Sequence, residues 1–226
     1  MKQLDQSDPE YINAMTCCME GDWSKAESAF LDLQKTYPES SLVLLHQGNI
    51  YYSLGRLNKS IEYYEKALEL QPDWGIAFYK LGVTYFRAGK LVRALEAFNK
   101  VVELKSQSHA MAAYFVGLIN FFLGRDDVAE STFSEFHEVA PESLIANFFL
   151  VQIKLKKREF KDAVKLLNEL LAETPSLSEG HYMLGQAYYG LHKHTEAIQA
   201  FRKVLEINPD DQRAKTKLTL MTDIEW

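Results

Sequence analysis

The prolines of this chain recur at a fixed interval. Five of the six are separated by gaps of 34 or 69 residues, and 69 is one interval of 34 followed by one of 35. These five are Pro38, Pro72, Pro141, Pro175 and Pro209. A period of this length is typical of helical repeat arrays, in which each repeat buries its apolar face only against its neighbours.

Four further series keep the same interval. The first consists of glycines with one valine: Gly48, Gly82, Gly117, Val151 and Gly185. The second begins with glycines and ends with two polar residues: Gly21, Gly55, Gly89, Gly124, Arg158 and His192. The third is small: Ala26, Ser60, Ala94, Ala129, Ala163 and Ala197. The fourth is large and apolar: Phe30, Tyr64, Phe98, Phe133, Leu167 and Phe201. Because all the series share one phase, they indicate a repeated structural unit.

Each series has a physical interpretation. Apolar residues at helical spacing predict two helices per repeat, as in the two runs Leu81 and Tyr85, then Leu91, Leu95, Phe98 and Val102. The second series lies between the two helices, where the chain must reverse, and the proline ends the second helix. The first series lies inside the first helix, where glycine costs roughly 1 kcal/mol against alanine. We expect close approach of the paired helix, through its residue of the small series, to compensate for that cost.

The pattern resembles the tetratricopeptide-repeat family, and the residues that carry the resemblance in the third repeat are Phe78, Leu81, Gly82, Tyr85, Ala94 and Phe98. The resemblance implies an all-α fold with about thirteen helices and no strand. That fold is an α-solenoid, wound as a right-handed superhelix, of six helix-turn-helix units in a single domain over 7–211. The units are 7–40, 41–74, 75–109, 110–143, 144–177 and 178–211. Units four and five depart from the pattern at Asn120, Val151, Lys154 and Arg158, and we interpret them as weaker repeats.

The two ends of the array have their own signals. Asp8 followed by Pro9 predicts the N-cap and the first residue of the first helix. After the last repeat, Ala214, Leu218 and Met221 share one helical face, which predicts a capping helix over 212–226 that covers the last unit. Cys17 and Cys18 are neighbours, so a bridge between them would be strained, and we expect two reduced thiols in or beside a helix.

The resemblance also implies a binding surface, because in this family the first helix of each unit lines a concave groove. The residues that fall there are aromatic and nearly uncharged, and an apolar surface of this kind usually marks an interaction site. The predicted peptide-binding groove consists of Asn49, Tyr52, Tyr79, Phe86, Tyr114, Leu118, Phe121, Phe148, Gln152, Tyr182, Gln186 and Tyr189. The alternative is that these rings pack within the array. Family members that hold chaperone tails use a clamp of Lys, Asn and Arg, and only Lys80 fits that clamp, so binding of a terminal carboxylate by it is not expected.

Other function classes find little support. No catalytic motif occurs, and we expect no cofactor and no metal; the pair His192 and His194 fits a solvated turn better than a metal site. The net charge of −6 gives no support to nucleic-acid binding. The chain shows no membrane span and no secretory signal, so we expect a cytoplasmic protein. One basic run, Lys154 to Lys161, could meet an acidic partner or act as a nuclear-import signal, although a solvated helix end is the simpler reading.

These observations favour a non-catalytic scaffold or adaptor that binds an apolar helix or peptide of another protein. Two alternatives stay open. The first is a dedicated chaperone of a secreted or assembly-prone client, and the second is a regulatory, non-catalytic subunit of an enzyme complex. Identification of bound proteins by mass spectrometry would separate the three hypotheses.

Overall fold

The structure, a computed structural model, describes residues 4–139 and 143–223. Within these ranges the chain forms thirteen α-helices and no strand. They are α1 (Pro9–Met19), α2 (Trp23–Thr36), α3 (Ser41–Ser53), α4 (Leu57–Leu70), α5 (Gly75–Arg87), α6 (Leu91–Glu103), α7 (His109–Phe122), α8 (Asp126–Val139), α9 (Leu144–Lys156), α10 (Phe160–Glu173), α11 (Ser178–Gly190), α12 (His194–Ile207) and α13 (Gln212–Thr222). The prediction of an all-α array of helix hairpins is confirmed.

The chain divides into two compact units, Met1–Ile119 and Asn120–Trp226. In the first unit, each helix from α1 to α6 packs against the next one along the chain. In the second unit, the same holds from α8 to α13. This packing of consecutive helices is what a repeat array requires, because the apolar face left by one hairpin is covered by the following hairpin. The single domain over 7–211 stays a prediction.

The turn inside each hairpin has one fixed geometry. Gly21, Gly55, Gly89 and Gly124 all have left-handed backbone, with φ between 72° and 74°. At Gly55, the N–H of Arg56 donates to the carbonyl of Tyr51 at 2.8 Å, which is the long-range bond of a Schellman motif. Glycine adopts this backbone without steric cost, which explains the second glycine series.

The fifth and sixth hairpins form the same turn without glycine. Arg158 has φ of 62° and His192 has φ of 59°. The N–H of Glu159 donates to the carbonyl of Lys154 at 2.8 Å, and the N–H of Lys193 donates to the carbonyl of Tyr188 at 2.9 Å. The hydrogen bonds of the turn are therefore kept, and the two non-glycine residues take on the strain of the left-handed conformation.

The periodic prolines follow the ends of second helices. α2, α4, α10 and α12 each stop two residues before a proline, and the intervening C-cap residue is non-helical, with φ between −128° and −138°. The ring of a proline disfavours helical backbone in the residue before it, so the helix ends there. The third repeat has Ser106 in place of proline, and there the chain leaves the helix through Lys105 at φ of 47° instead. Pro141 lies outside the described residues.

Glycines of the first series face a ring rather than only a small residue. A Cβ on Gly48 would lie 2.4 Å from the Tyr64 ring, and one on Gly82 would lie 2.9 Å from the Phe98 ring. The small residue is also close at Gly48, since Ser60 Oγ donates to its carbonyl at 2.8 Å. The expected close approach of the two helices is present, but the aromatic side chain is what fills the space.

The ends of the array behave as the sequence indicates over the described part. Asp8 is the N-cap of α1, its carboxylate accepts from the N–H of Glu10 at 2.9 Å, and Pro9 is the first helical residue. At the other end, α13 buries Ala214 and Leu218 against the last hairpin. The helix ends at Thr222, and 224–226 of the predicted capping helix lie outside the described residues. Both cysteines are free thiols.

Candidate functional site

Three predicted groove residues of the first unit meet around one cavity. Asn49 and Tyr52 come from α3, and Tyr79 comes from α5, the first helix of the next hairpin. The cavity has a volume of about 220 Å³ and is lined by Asn49, Tyr52, Ser53, Tyr64, Tyr79, Lys80 and Val83. We call it the α3–α5 cavity. Its walls combine tyrosine rings with an amide and an ammonium group, which suits a peptide side chain or a main-chain segment.

Some polar groups of the α3–α5 cavity already form hydrogen bonds within the protein. Tyr64, which is buried, donates its hydroxyl hydrogen to Oδ1 of Asn49 at 2.8 Å. Burial raises the pKa of Tyr64 well above its usual value, so this hydroxyl stays protonated and acts as a donor. Lys80 is half-buried, and burial lowers the pKa of its ammonium group. The cavity therefore contains a cation in a poorly hydrated position.

Tyr52 forms the outer edge of the cavity. The guanidinium carbon of Arg87 lies 4.8 Å from the centroid of the Tyr52 ring, and Arg87 Nη1 donates to the Tyr52 carbonyl at 3.2 Å. The stacked arginine holds the ring in place and adds a second positive charge beside the opening.

The other predicted residues of the first unit are largely occupied by intramolecular packing. Tyr79, Phe86 and Tyr114 each meet the Phe115 ring edge to face, at centroid distances of 6.4, 5.4 and 5.7 Å. Leu118 is buried. Phe115 was not among the predicted groove residues, although its place one helical position beside Tyr114 is the signal that could have revealed it.

The predicted residues of the second unit also divide into packed and open side chains. Phe121 and Phe148 meet the Phe149 ring at 5.2 and 5.9 Å, and Tyr182 is buried. Gln152 and Gln186 are half-buried, whereas Tyr189 is 49% exposed. The interpretation of these rings as packing residues therefore holds for part of the set, and the open ones lie mainly at Tyr189 and around the α3–α5 cavity.

Residues of the fourth series stack on rings of the following hairpin. The partner lies 16 or 17 residues further along the chain. The stacked pairs are Phe30 with His46 (centroids 5.2 Å apart), Phe98 with Phe115 (4.6 Å) and Phe133 with Phe149 (5.4 Å). We call these contacts the inter-repeat ring stacks. At the same spacing, Tyr64 is followed by Lys80, so the second hairpin meets the third with a lysine where the other stacks have a ring.

Three lysines of the basic run 154–161 form ion pairs within the second unit. Lys154 and Lys157 both bind Glu130 of α8, each at 2.5 Å, and the bonds from the two lysines lower the pKa of that carboxyl. Further ion pairs in the run join Lys154 to Glu159, Lys156 to Asp126 and Lys157 to Asp127. These three lysines are engaged in intramolecular ion pairs, whereas Arg158 and Lys161 are exposed and form no ion pair with the residues that the structure describes.

Metal binding and a membrane-spanning helix find no structural support within 4–139 and 143–223. No cluster of three or more His, Cys, Asp or Glu side chains is arranged to hold a metal ion there. The rings of His192 and His194 lie 6.3 Å apart at their turn. None of the helices in this part of the chain has the length and apolar character needed to cross a membrane.

Comparison with known proteins agrees with the helix-hairpin geometry. Models of the tetratricopeptide repeat match residues 48–89, 79–143 and 178–211. A curated relative, the anaphase-promoting complex subunit CDC16 of Saccharomyces cerevisiae, is 27% identical over 183 residues, which is 78% of this chain. The chain spans 22% of the length of that relative.

Two solved structures have a similar fold. The first is YrrB, a repeat protein with an unusual peptide-binding site, at 20% identity and a TM-score of 0.76, over 85% of this chain and 98% of that one. The second is PilW, a type IV pilus biogenesis factor, at 19% identity and a TM-score of 0.68, over 96% of this chain and 100% of that one. At these identities the likeness concerns the fold alone. Together with the repeat matches and the repeated hairpin geometry, it leads to one conclusion: this chain belongs to the tetratricopeptide-repeat family.

Proposed function

We propose that this chain is a non-catalytic adaptor that binds a peptide segment of another protein, with the α3–α5 cavity as the principal contact. The observation that carries the proposal is the convergence of Asn49, Tyr52 and Tyr79, from two successive hairpins, around one open cavity. Half-buried tyrosines suit this role because they offer a large apolar face and a hydroxyl without a large loss of side-chain entropy.

Asn49 supplies the specificity for an extended main chain. Its Oδ1 accepts from Tyr64, so the orientation of the amide is fixed, and the N–H groups of Nδ2 can donate to a bound segment. The predicted groove residues of the second unit, Gln152, Gln186 and Tyr189, stay a separate candidate surface in this proposal. In this proposal the ligand is an apolar segment with few charges, in a cytoplasmic protein.

A second candidate rests on the similarity to CDC16, a subunit of the anaphase-promoting complex. By that similarity the chain would be a non-catalytic subunit of a larger assembly, held by the same groove. The dedicated chaperone remains the third hypothesis, and its distinguishing property is a single aggregation-prone client.

The test begins with affinity purification of the chain and identification of bound proteins by mass spectrometry. Several unrelated partners support the adaptor, one stable assembly supports the subunit, and one aggregation-prone client supports the chaperone. Calorimetry with the binding segment then compares wild type with a Tyr52→Ala, Tyr79→Ala double variant. We expect the double variant to bind at least tenfold more weakly, about 1.4 kcal/mol, with unchanged helix content by circular dichroism.

Tyr63 provides the matched control. It is a half-buried tyrosine of α4, stacked on Tyr51 at 5.1 Å and outside the cavity. Tyr63→Ala removes the same kind of ring and should leave affinity unchanged. Equal affinity of the double variant and wild type would show that the α3–α5 cavity is not the binding site.

A further inference from the structure

The α3–α5 cavity exists where an inter-repeat ring stack is missing. Three other large residues, Phe30, Phe98 and Phe133, each stack on a ring of the next hairpin, which is His46, Phe115 or Phe149. Tyr64 instead shares the cavity with Lys80, the residue at the corresponding spacing. The Tyr64 ring is itself buried, and the flexible aliphatic chain of Lys80, with its ammonium group, lines the cavity beside it.

Lys80 is an unpaired cation. Within 4–139 and 143–223 its ammonium group has no ion pair and no hydrogen bond, and burial is the one cause that shifts its pKa, downward. The lysines of the basic run behave differently, since Lys154 and Lys157 are each held by two carboxylates. A half-buried charge without a partner carries a cost in free energy, which an incoming anion would remove.

A second donor faces the same cavity. Tyr64 donates to Oδ1 of Asn49, which leaves the two N–H groups of Asn49 Nδ2 without an acceptor in the described part of the chain. A carboxylate accepts through both oxygens, so an ammonium and an amide in one cavity match its two acceptor atoms.

Among the residues that the structure describes, no carboxylate pairs with Lys80. Its neighbour His46 is neutral at pH 7, because burial together with the charge of Lys80 lowers the pKa of His46 to about 4. At the opening, Arg87 stacked on Tyr52 contributes a further positive charge. The local field is therefore positive, although the chain as a whole has a net charge of −6.

The size of the cavity limits its occupant. A volume of about 220 Å³ is below the roughly 300–1,000 Å³ of sites that enclose a whole small molecule. It suits one side chain of a longer ligand, with the tyrosine rings of Tyr52 and Tyr79 in contact with the apolar residues beside it.

We propose that the α3–α5 cavity is a carboxylate site, in which Lys80 and Asn49 bind the side chain of a Glu or Asp located within an apolar peptide segment. The inference rests on the proposed function and makes it more specific, because it assigns the ligand one acidic residue at a fixed place. It differs from recognition of a chain terminus, for which the other clamp residues are missing and only Lys80 fits.

The experiment uses short, end-capped peptides in two matched libraries, with glutamate or glutamine at the centre and varied apolar residues on both sides. Binding to the full chain is measured by fluorescence polarisation for wild type, Lys80→Met, Lys80→Phe and Asn49→Ala. Lys80→Phe introduces the ring found at the other stacks, so the hairpins should stay folded while the site is filled. Lys203→Met, which removes an exposed lysine of the second unit, is the matched control.

We expect the wild type and Lys203→Met to prefer glutamate over glutamine by at least tenfold. This preference should vanish in Lys80→Met and Lys80→Phe and weaken in Asn49→Ala, with circular dichroism unchanged. Equal binding of the two libraries to wild type, or a preference that survives Lys80→Met, would overturn the carboxylate site while leaving the groove intact. Absence of binding to every peptide would overturn the proposed function as well.

Two further arms identify the source of the anion. One additional library has glutamine at the centre and no end cap, so that each peptide carries a free terminal carboxylate. Another has phosphoserine at the central position. A Lys80-dependent preference for either of these over the glutamate library would show that a chain terminus or a phosphate, and not an acidic side chain, is the ligand.

Discussion

The ring of Tyr64 occupies the space that a side chain at Gly48 would need, because a Cβ on Gly48 would lie 2.4 Å from Tyr64 Cε1. In the fifth repeat both partners are different. Val151 stands in the glycine series and Leu167 stands in the large series, and the two are fully buried in one cluster. A larger residue in the first helix is thus accompanied by a smaller one in the second, which accounts for the departure of this repeat from the family pattern.

This pairing can be tested with a double-mutant cycle. Gly48→Val should destabilise the first unit by about 2–3 kcal/mol, because the valine methyl groups overlap the Tyr64 ring. Tyr64→Leu should also destabilise it, through lost packing and the lost hydrogen bond to Asn49. The combined variant reproduces the Val151–Leu167 pair and should be more stable than the sum of the two changes predicts, by at least about 1 kcal/mol.

Urea unfolding followed by circular dichroism measures the three variants and the wild type. Simple additivity of the two changes would contradict the pairing of these positions. Gly89→Ala serves as a comparison, since no atom lies within 4 Å of an added Cβ there and its cost is that of the left-handed backbone alone.

The sequence predicts the register of the hairpins well because each periodic series answers a local requirement. A left-handed turn favours glycine, a proline forces the preceding residue out of the helix, and Asp8 with Pro9 is a local start signal. The partner of Gly48 is harder to predict. Ser60 and Tyr64 both lie on the paired helix at positions that could face Gly48. Only the rotation of the two helices about their axes places the Tyr64 ring where a Cβ of Gly48 would be.

Substitution of Arg158 or His192 by glycine is expected to stabilise the folded protein. Each has left-handed φ and keeps the hydrogen bonds of the glycine turns, so a Cβ at these positions adds backbone strain. Arg158→Gly and His192→Gly should each raise the free energy of unfolding by about 1 kcal/mol, less the entropy that glycine gives the unfolded chain. Thermal unfolding by circular dichroism is the measurement.

The reverse substitutions, from glycine to arginine, test the same prediction. Gly89→Arg and Gly55→Arg place the side chain of the fifth repeat in glycine turns of the first unit, where φ is 72°. Both should lower the midpoint of unfolding. A neutral or destabilising effect of Arg158→Gly would mean that contacts of the arginine side chain outweigh the backbone strain.

Contacts between successive hairpins are harder to predict from the sequence. The basic run looks like a surface for partners until Asp126, Asp127 and Glu130 of the preceding helix are seen to bind its lysines. The binding cavity shows the same limit. The predicted groove positions included Asn49, Tyr52 and Tyr79, but the opening beside them depends on Lys80 at the place of a stacked ring, which is visible only when the ring stacks are compared across repeats.

Glu130 is expected to be the stabilising member of the ion-pair cluster. Its carboxylate binds Lys154 and Lys157, and the side chains of Glu130 and Lys154 are each only 18% exposed. Glu130→Gln should destabilise the second unit by about 2 kcal/mol near pH 7, since two charge-assisted bonds are weakened. The pair Lys100–Glu103 is exposed on both sides, so Glu103→Gln should cost less than about 0.5 kcal/mol.

The pH dependence distinguishes an ionic role of Glu130 from a packing role. Its pKa is lowered in the folded state by the bonds from Lys154 and Lys157, so the unfolded state binds the proton more tightly. The stability that the carboxylate contributes is complete above the unfolded pKa and is lost as the pH falls through the folded one. Wild type and Glu130→Gln should therefore converge in acid, and a difference that is constant with pH would point to packing.

The charge of Lys80 should cost the free protein stability, in contrast to the lysines of the basic run. Burial lowers the pKa of Lys80 below 10.5, so the unfolded state holds the proton more tightly than the folded state does. By the same linkage, the loss of stability caused by the Lys80 charge is greatest at neutral pH. It disappears as the pH rises from the pKa of Lys80 in the folded state towards 10.5. Lys80→Met, which keeps the aliphatic chain and removes the charge, should be more stable than wild type by about 1 kcal/mol at pH 7. The two proteins should converge in urea unfolding at pH 10.5, whereas Lys203→Met, at an exposed ion pair, should differ little from wild type throughout. If Lys80→Met is instead less stable at pH 7, the ammonium group has a stabilising partner and the cavity does not hold an unpaired cation.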